Sequence, residues 1–393
     1  MPLRPFALGF VLLGLLLPGA GAAPYLPTDD RQVLERLPAR ATDPREREMR
    51  SLREQLARNP RDVGIAVQLV RRYYDAVAAE GDPRYIGYAQ AALTPWWEQP
   101  DPPAAVRVQR AVLRQFSHQF DAALADLEAA TRANPADGEA RSWQAAILMV
   151  QARYPEARRA CEALRPLASP LIGTACTAHV DSLSGHAAAA AAALRVALRA
   201  HAAAPAPERL WALTRLAEIE ERRDDHAAAE ATLRAALALD ITDGYLLALS
   251  ADFLLDRGRP AEVLALLKGK ERSDLLLLRL ALAAKTIGAP ERQRWAADLD
   301  ARFAAARLRG DSVHEKEESR FALAIHGDAR RALALASENY AVQKEPADAR
   351  VLLEAAIAAQ APGAAAPVLQ WMASSGVESA VLRRLADRLR GRP

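Results

Sequence analysis

The apolar positions of this chain follow the spacing of helices rather than that of strands. No stretch alternates apolar and polar residues with the sustained two-residue period of a half-buried strand. From Met49 onward, helix-length segments are instead separated by Pro, Gly or Asp, as at Gly81, Asp82 and Pro83. There Asp82 is suited to cap a helix and Pro83 to occupy its first turn, where a missing N–H is harmless. The pattern predicts an all-α protein.

The helical segments repeat with a step of 34 residues. The positions related by this step are Phe120 and Tyr154, Ala123 and Ala157, and Ala229 and Val263. A period of this length is typical of α-solenoids, in which each repeat buries its apolar face only against neighbouring repeats.

Small and large residues hold fixed positions within the repeat. Ala123 and Ala130 are small enough to let two helices approach closely, Leu127 fills the space between them, and Pro135 ends the unit. An Ala, a large residue four positions later and then a Pro is the order found in the second half of the tetratricopeptide repeat (TPR).

The chain therefore resembles tetratricopeptide-repeat proteins over most of residues 49–390. The resemblance implies a right-handed α-solenoid of antiparallel helix pairs, a TPR-like superhelix with about nine or ten pairs. The segment from Tyr73 to Trp97 is similar to exported bacterial members of the family, and it implies no particular activity. HEAT-like repeats stay open as an alternative, whereas the Thr-Pro-Leu-His signature of ankyrin repeats is missing.

The first 22 residues have the composition of a secretory signal peptide. Arg4 supplies the positive start, residues 6–17 form an apolar run, and Ala20-Gly-Ala22 provides the small-x-small cleavage site. The run is shorter than the roughly 20 apolar residues that a membrane-spanning helix needs. We expect cleavage near Ala22, export to the periplasm and no transmembrane segment in the mature chain. A buried N-terminal helix is the alternative.

This organisation predicts three regions. Residues 1–22 form the signal peptide, residues 23–48 an extended Pro-rich N-terminal arm, and residues 49–393 the TPR-like α-solenoid. The arm carries four prolines around one short amphipathic segment, and prolines at this density prevent a long helix.

The charge pattern argues against nucleic acid as a partner. The net charge is only +3 over 393 residues, and the basic residues, mostly Arg, are interleaved with Asp and Glu along the helices. This is the pattern of an ordinary solvated face. Only the tail from Arg383 to Arg392 is locally basic, and positive charge there favours the C-terminus of a helix.

The sequence contains no convincing catalytic motif. A Gly-x-Ser-x-Gly elbow, a Ser-x-x-Lys pair, a Cys-x-x-Cys pair and a phosphate-binding Gly-rich loop are all missing. His314 and Glu315 begin like a zinc-protease motif, but position 318 is Glu instead of the second His. We therefore expect a protein that is not an enzyme and needs no cofactor.

The two cysteines pose the sharpest local question. Cys161 lies at a core-facing position in the second helix of one repeat, and Cys176 lies early in the first helix of the next. Because these helices are expected to pack together in an oxidising compartment, a disulfide is the favoured interpretation. Free buried thiols stay open, as does a metal site that joins both cysteines to His179 and His186.

Four aromatic residues are candidate binding anchors for a partner. Trp96 and Trp97 are adjacent, and neighbours on a helix point about 100° apart, so the core is not expected to take both in full. Tyr73 and Tyr74 pose the same question on the preceding helix. An exposed Trp would be typical of a binding hot spot. Packing beneath the N-terminal arm or the proline-rich loop is the alternative.

The resemblance adds a second set of candidates. In tetratricopeptide-repeat proteins the first helix of each pair lines the concave groove. Transferred by position, this geometry implies a groove lined by Gln115, Ser142, His179, Trp211, Glu218 and Asp252. These residues share no charge sign or chemical type, so they do not identify a ligand.

Together these observations predict a non-enzymatic periplasmic scaffold or adaptor. Its partner would be a protein or peptide of the cell envelope, and its role the assembly or maturation of an envelope complex. The alternative is a periplasmic protein that handles a metal or cofactor through Cys176 and His179.

Overall fold

The computed structural model describes residues 43–310 and 314–391. The predicted signal peptide and most of the predicted N-terminal arm lie outside these residues. Within them the protein is all-α, with 21 α-helices, a π-helical segment at Ala322–His326, a 3₁₀ segment at Pro362–Ala365 and no β-strand. No helix in the described part of the chain combines enough length with enough apolar character to span a bilayer.

The helices follow one another with short connections. In the first half they are α1 (Pro44–Arg58), α2 (Val63–Glu80), α3 (Arg84–Ala92), α4 (Thr94–Trp97), α5 (Ala104–Phe116), α6 (Phe120–Ala133), α7 (Gly138–Val150), α8 (Tyr154–Leu164), α9 (Pro170–Ser182), α10 (Ala187–Ala200) and α11 (Ala206–Arg222). In the second half they are α12 (His226–Leu237), α13 (Gly244–Asp256), α14 (Pro260–Leu266), α15 (Asp274–Ile287), α16 (Arg292–Arg309), α17 (Glu315–Phe321), α18 (Ala329–Val342), α19 (Pro346–Ala358), α20 (Ala366–Ser375) and α21 (Ala380–Leu389).

Consecutive helices pack as antiparallel pairs. Helix α5 packs on α6, α7 on α8, α9 on α10 and α11 on α12, and successive pairs are joined by contacts such as α6 with α7 and α8 with α9. Because each pair covers its apolar face with the next pair, the arrangement is an α-solenoid. This confirms the all-α, TPR-like solenoid predicted from the 34-residue step.

The turns inside successive pairs share one conformation. In each, one residue adopts left-handed backbone and the next residue donates its N–H to a carbonyl five positions back. Examples are Gln119 N to Arg114 O and Arg153 N to Leu148 O, both at 2.8 Å. These bonds satisfy carbonyls at the end of the first helix while the chain reverses. The left-handed residues are His118, Ala152, Gly185, Asp224 and Gly258.

Small residues occupy the closest approach of the paired helices. Those that are fully buried at equivalent positions are Ala123, Ala157, Ala229 and Val263. Four residues after the first of them, Leu127 is fully buried as the sequence pattern predicts. The small side chains let the backbones approach, and the large one fills the gap that remains.

The first described helix begins before the predicted boundary between arm and solenoid. The sequence predicts an extended arm over residues 23–48, but α1 begins at Pro44 and is capped by Asp43. Pro44 occupies the first turn, where a proline needs no hydrogen bond. Met49 and Leu52 are buried in the N-terminal core, so α1 is part of the first helical layer.

The C-terminal helices pack back onto the middle of the chain. One continuous core joins buried residues of α5 to α9 with those of α18 to α21. Within it Trp371 Nε1 donates to the Tyr154 hydroxyl at 3.0 Å, and the Glu378 carboxylate accepts from the N–H of Ala187 at 3.0 Å, at the start of α10. In a simple solenoid each repeat contacts only its neighbours. This chain therefore closes on itself.

A second closure joins the end of α2 to the starts of α13 and α15. The end of α2 packs so closely here that a Cβ added to Gly81 would lie 2.3 Å from Ser273 Oγ and 2.5 Å from Ser273 Cβ. A Cβ added to Gly244 would lie 3.1 Å from the carbonyl oxygen of Ala78. Glycine at these positions is therefore required by close backbone approach as well as by the left-handed φ of +68° at Gly81.

A disulfide joins Cys161 on α8 to Cys176 on α9. The Cα atoms are 5.5 Å apart, 15 residues separate the two positions, and both side chains are buried. The link fastens one helix pair to the next. Formation of this bond in the purified protein stays a prediction.

Replacing both cysteines by alanine is expected to lower the free energy of unfolding by about 3 kcal/mol, because a loop of this length constrains the unfolded chain. Urea unfolding followed by circular dichroism measures the difference. Dithiothreitol should destabilise the native protein to a similar extent and leave the Cys161→Ala/Cys176→Ala variant unchanged. Alkylation of both thiols in unreduced, unfolded protein would contradict the bond.

Gly81→Ala is expected to destabilise the protein more than Gly258→Ala does. The two glycines have nearly the same φ, +68° and +67°, but nothing lies within 4 Å of a Cβ added to Gly258. Gly258→Ala, the control, should lower the free energy of unfolding by about 1–2 kcal/mol because of its left-handed backbone alone. Gly81→Ala should lower it by about 1–3 kcal/mol more because the new methyl group overpacks against Ser273. Urea unfolding measures both, and equal losses would mean that the α2–α15 contact is loose.

Candidate functional site

The inner side of the closed solenoid contains three adjoining spaces. The central cavity, 420 Å³ in volume, lies between α9, α11, α13, α15, α17, α19 and α21. The aromatic groove, 920 Å³ in volume, is bounded by α1, α2, α7, α11 and the turn at residues 241–243. The side cavity, 390 Å³ in volume, lies between the end of α2, the turn after α5, and the starts of α13 and α15. Tyr245 lines all three spaces.

Ion pairs organise the wall of the central cavity. Asp252 on α13 accepts hydrogen bonds from Arg279 on α15 at 3.1 and 2.7 Å and from Arg320 on α17 at 3.1 and 2.9 Å. Burial alone would raise the pKa of Asp252, but the two guanidinium groups outweigh it and hold that pKa well below its usual range. Asp252 is therefore ionised and ties three helices together.

Two further ion pairs connect the middle of the chain to the C-terminal helices. Asp256 accepts from Arg350 on α19 at 2.5 and 2.8 Å, and Asp224 accepts from Arg384 on α21 at 2.6 and 3.3 Å. Asp224 and Arg384 are both exposed, which places this pair where the central cavity reaches the surface. The same contacts that close the solenoid thus form the rim of the cavity.

Glu221 is a partly buried acid beside these pairs. Burial and the neighbouring Asp256 carboxylate raise the pKa of Glu221 to about 7, and Arg350 and Arg257 offset only part of this effect. Its ionisation therefore falls near neutral pH, unlike that of Asp252.

One end of the central cavity carries a cluster of basic side chains. His179, only 9% exposed, lies near Arg215 and Arg222 of α11. Burial and these two guanidinium groups lower the pKa of His179 well below its usual value, so the imidazole is neutral. Glu218 lies 3.1 Å from Arg215 and accepts a hydrogen bond from the hydroxyl of Tyr245.

Aromatic side chains line the groove. Tyr74 packs edge-on against Trp143 with ring centroids 5.6 Å apart, and the Tyr74 hydroxyl accepts a hydrogen bond from Gln115 Nε2 at 3.0 Å. Burial raises the pKa of Tyr74 to about 12, so the hydroxyl keeps its proton. Trp211 and Tyr245 line the same groove from α11 and α13. Aromatic rings from four helices therefore share one concave surface.

Three of the predicted partner-binding residues are placed elsewhere. Tyr73 and Trp96 are 3% and 5% exposed and belong to the N-terminal core, which corrects the expectation that they might anchor a partner. Trp97 is partly buried, its carbonyl accepts from Arg110 Nη1 at 2.7 Å, and the guanidinium of Arg114 lies over its ring. The α4 turn packs both tryptophans against α5, so the core takes one fully and Arg114 covers the other.

The remaining candidates other than Ser142, which is partly buried but lines none of the three spaces, face the interior in different spaces. His179 and Glu218 line the central cavity together with Asp252, Trp211 lines the aromatic groove, and Gln115 lines the side cavity. Sequence reasoning raised Tyr74 beside Tyr73 but missed Trp143, Arg222 and Tyr245. Their position on first helices was available from the repeat, but their convergence depends on the long-range closure, which no local pattern encodes.

The cysteine–histidine cluster does not have the chemistry of a metal site. Cys161 and Cys176 are bonded to each other, and His179 faces two guanidinium groups that would repel a cation. In the described part of the chain no group of three or more His, Cys, Asp or Glu side chains is arranged to hold a metal ion.

Comparisons with known proteins concern the fold. No family model matches the sequence, and no curated protein matches it. Among solved structures, PilW, described as a widely conserved type IV pilus biogenesis factor, has a TM-score of 0.40 and 18% identity over 51% of this chain and 94% of its own. A tetratricopeptide repeat protein from Parabacteroides merdae ATCC 43184 has a TM-score of 0.36 and 12% identity over 74% of this chain and 98% of its own.

The Cut9–Hcn1 hetero-tetramer of the APC/C gives a TM-score of 0.42 with 12% identity. The match covers 88% of this chain but 58% of that one, so this chain spans a little over half of its length.

Glu221→Gln is expected to flatten the pH dependence of stability between pH 4.5 and 7. The pKa of Glu221 is about 7 in the folded protein against an ordinary 4.5, so its stabilising contribution is present below pH 4.5 and is lost as pH rises through 7. The free energy of unfolding, measured with urea across this range, should therefore fall less steeply with pH for the variant. The difference in slope should correspond to at most one bound proton.

Glu262→Gln is the matched control. Its hydrogen bond from Arg259 lowers the pKa of Glu262, so replacing it should leave the slope above pH 4.5 unchanged. Equal slopes for native protein and Glu221→Gln would contradict the assignment.

Proposed function

We propose that this protein is a non-enzymatic periplasmic scaffold that binds a segment of a protein partner in the aromatic groove. Its role would be the assembly or maturation of an envelope complex. The observation that carries the proposal is that Tyr74, Trp143, Trp211 and Tyr245 all line one groove with a volume of 920 Å³. Tyr and Trp contribute large contact area with few rotatable bonds and are enriched in binding hot spots.

The walls of the groove favour an apolar segment at its centre. Leu210 and Ile241 contribute aliphatic surface beside Trp211, and Met49 lies at the edge formed by α1. A groove with an apolar floor and polar edges matches the usual anatomy of a protein–protein interface.

The edges of the groove are acidic. The charged residues that line it are Asp43, Glu46, Glu48, Asp75, Glu80 and Asp243 against Arg45, Arg72 and Arg215. Arg72 is already engaged by Glu48 at 2.8 Å and by Asp75 at 3.4 Å. Carboxylates therefore outnumber cations, and complementary charge calls for a partner segment that carries Lys or Arg beside its apolar residues.

Two sequence features support the periplasmic part of the proposal. The N-terminal composition is that of a secretory signal, and its cleavage site precedes the solenoid. The Cys161–Cys176 pair is the kind of link that persists in an oxidising compartment. Asp252 and Asp256 of the central cavity are held by arginines of other helices, a structural role that supports binding over catalysis.

A photo-crosslinking amino acid at Thr242, which is exposed at the groove, is expected to capture one partner in the periplasm. The control places it at Leu308, which is 90% exposed on α16 and lies outside all three spaces. Mass spectrometry identifies the captured segment, which should contain apolar residues and more Lys and Arg than Asp and Glu.

A synthetic peptide of the captured segment should bind the mature protein, and Trp143→Ala should weaken it by roughly tenfold or more, the loss expected for a hot-spot residue. Leu308→Ala should leave the affinity unchanged, and circular dichroism verifies that both variants fold. A crosslink from Thr242 to residues 23–42 of the same chain, an acidic segment, or equal capture at Leu308 would overturn the proposal.

A further inference from the structure

Arg222 is a cation in the central cavity without a matching carboxylate. Its Nη2 donates to Ser182 Oγ at 2.7 Å, and Ser182 is fully buried and itself donates to the carbonyl of His179 at 2.7 Å. No carboxylate among the described residues lies within ion-pair distance of Arg222. Its Nε is buried with no acceptor in the described part of the chain. The guanidinium is therefore held in place by Ser182 but not neutralised there.

Two carboxylates of the same cavity are already paired. Asp252 is shared by Arg279 and Arg320, and Asp256 is bound by Arg350. These two cannot turn toward Arg222 without breaking the contacts that close the solenoid. Glu221 and Glu345 also line the cavity, and burial raises the pKa of each to about 7, so neither is fully ionised at neutral pH.

The immediate surroundings of Arg222 leave one positive charge in excess. Arg215 and Arg222 contribute two positive charges, Glu218 contributes one negative charge, and the neighbouring His179 is neutral. Glu218 is engaged by Arg215 and by the Tyr245 hydroxyl. In a partly buried site such an excess attracts an anion more strongly than it would in water. We call these four residues the cationic corner.

The rest of the cavity offers apolar contacts. The aliphatic residues that line it are Ala248, Leu249, Leu275, Val351 and Val381. With a volume of 420 Å³ the cavity falls within the roughly 300–1,000 Å³ that is usual for small-molecule sites. Its shape and lining suit a molecule with one anionic end and an apolar body.

We propose that the central cavity binds a small amphiphilic carboxylate, with its carboxylate on Arg222 and its apolar body against the aliphatic wall. The planar fork of an arginine matches the two oxygens of a carboxylate, and such charge-assisted pairs are stronger than neutral hydrogen bonds. The imidazole of His179 provides a further polar group at the same end. The ligand enters where Asp224 and Arg384 meet solvent.

Isothermal titration of the mature protein with octanoate tests this site. Octanoate should bind saturably at one site, whereas octan-1-ol, octylammonium and inorganic phosphate each lack one of the two required features and should bind at least roughly tenfold more weakly. Arg222→Gln should weaken octanoate by roughly tenfold or more, since it removes the charge of the pair.

Arg141→Gln is the matched control. Arg141 on α7 is also partly buried with an unpartnered Nε, but it lies outside the central cavity. The Arg141→Gln variant should bind octanoate with the same affinity as the native protein. Should Arg222→Gln fail to fold by circular dichroism, Arg222→Lys keeps the charge without the planar fork and should give an intermediate affinity.

The proposal would be overturned if octanoate did not bind saturably, or if the native protein and the Arg222 variant bound it with equal affinity. It would also be overturned if octan-1-ol or phosphate bound as tightly as octanoate. The titration contains no protein partner, so its failure leaves the proposal for the aromatic groove untouched, and failure of partner capture leaves this one untouched.

Discussion

Every helix pair of this protein depends on a neighbour to cover its apolar face, and a linear stack of pairs leaves the last faces open. Here the final helices return to the middle of the chain, where Trp371 packs beside Tyr154 in one core shared by α5 to α9 and α18 to α21. The Glu378 carboxylate takes the place of a local cap at the start of α10. The last pairs are thereby covered by the chain itself, without a separate polar capping repeat.

This closure determines which spaces the interior of the solenoid contains. An open solenoid would present a single long groove, but here α19 and α21 form walls of the charged central cavity, which adjoins the aromatic groove. Ion pairs lie where the C-terminal helices meet the middle of the chain. Asp224 pairs with Arg384, and Asp256 pairs with Arg350. Exposed pairs of this kind contribute little stability on their own, so the shared apolar core holds the closure and the ion pairs set its register.

The sequence predicted those parts of the molecule that depend on local pattern. The 34-residue step places Ala123, Ala157 and Ala229 at equivalent buried positions because helix packing needs a small residue there. Residues whose setting depends on contacts distant in sequence could not be assigned in this way. Trp96 is buried because α5 lies across the α4 turn, and Arg222 is unpaired because the neighbouring Glu218 is engaged by Arg215 and by Tyr245 of α13.

The cationic corner of the central cavity and the edges of the aromatic groove carry opposite charge, and these two spaces share two side chains. Arg215 and Tyr245 line both the central cavity and the acidic groove, and the Tyr245 hydroxyl donates to Glu218 within the cationic corner. A ligand that drew Arg215 toward the cavity would change the charge at the edge of the groove. Linkage then requires the effect to be reciprocal, so a basic segment that engages the groove would alter the affinity of the cavity for its anion by the same factor.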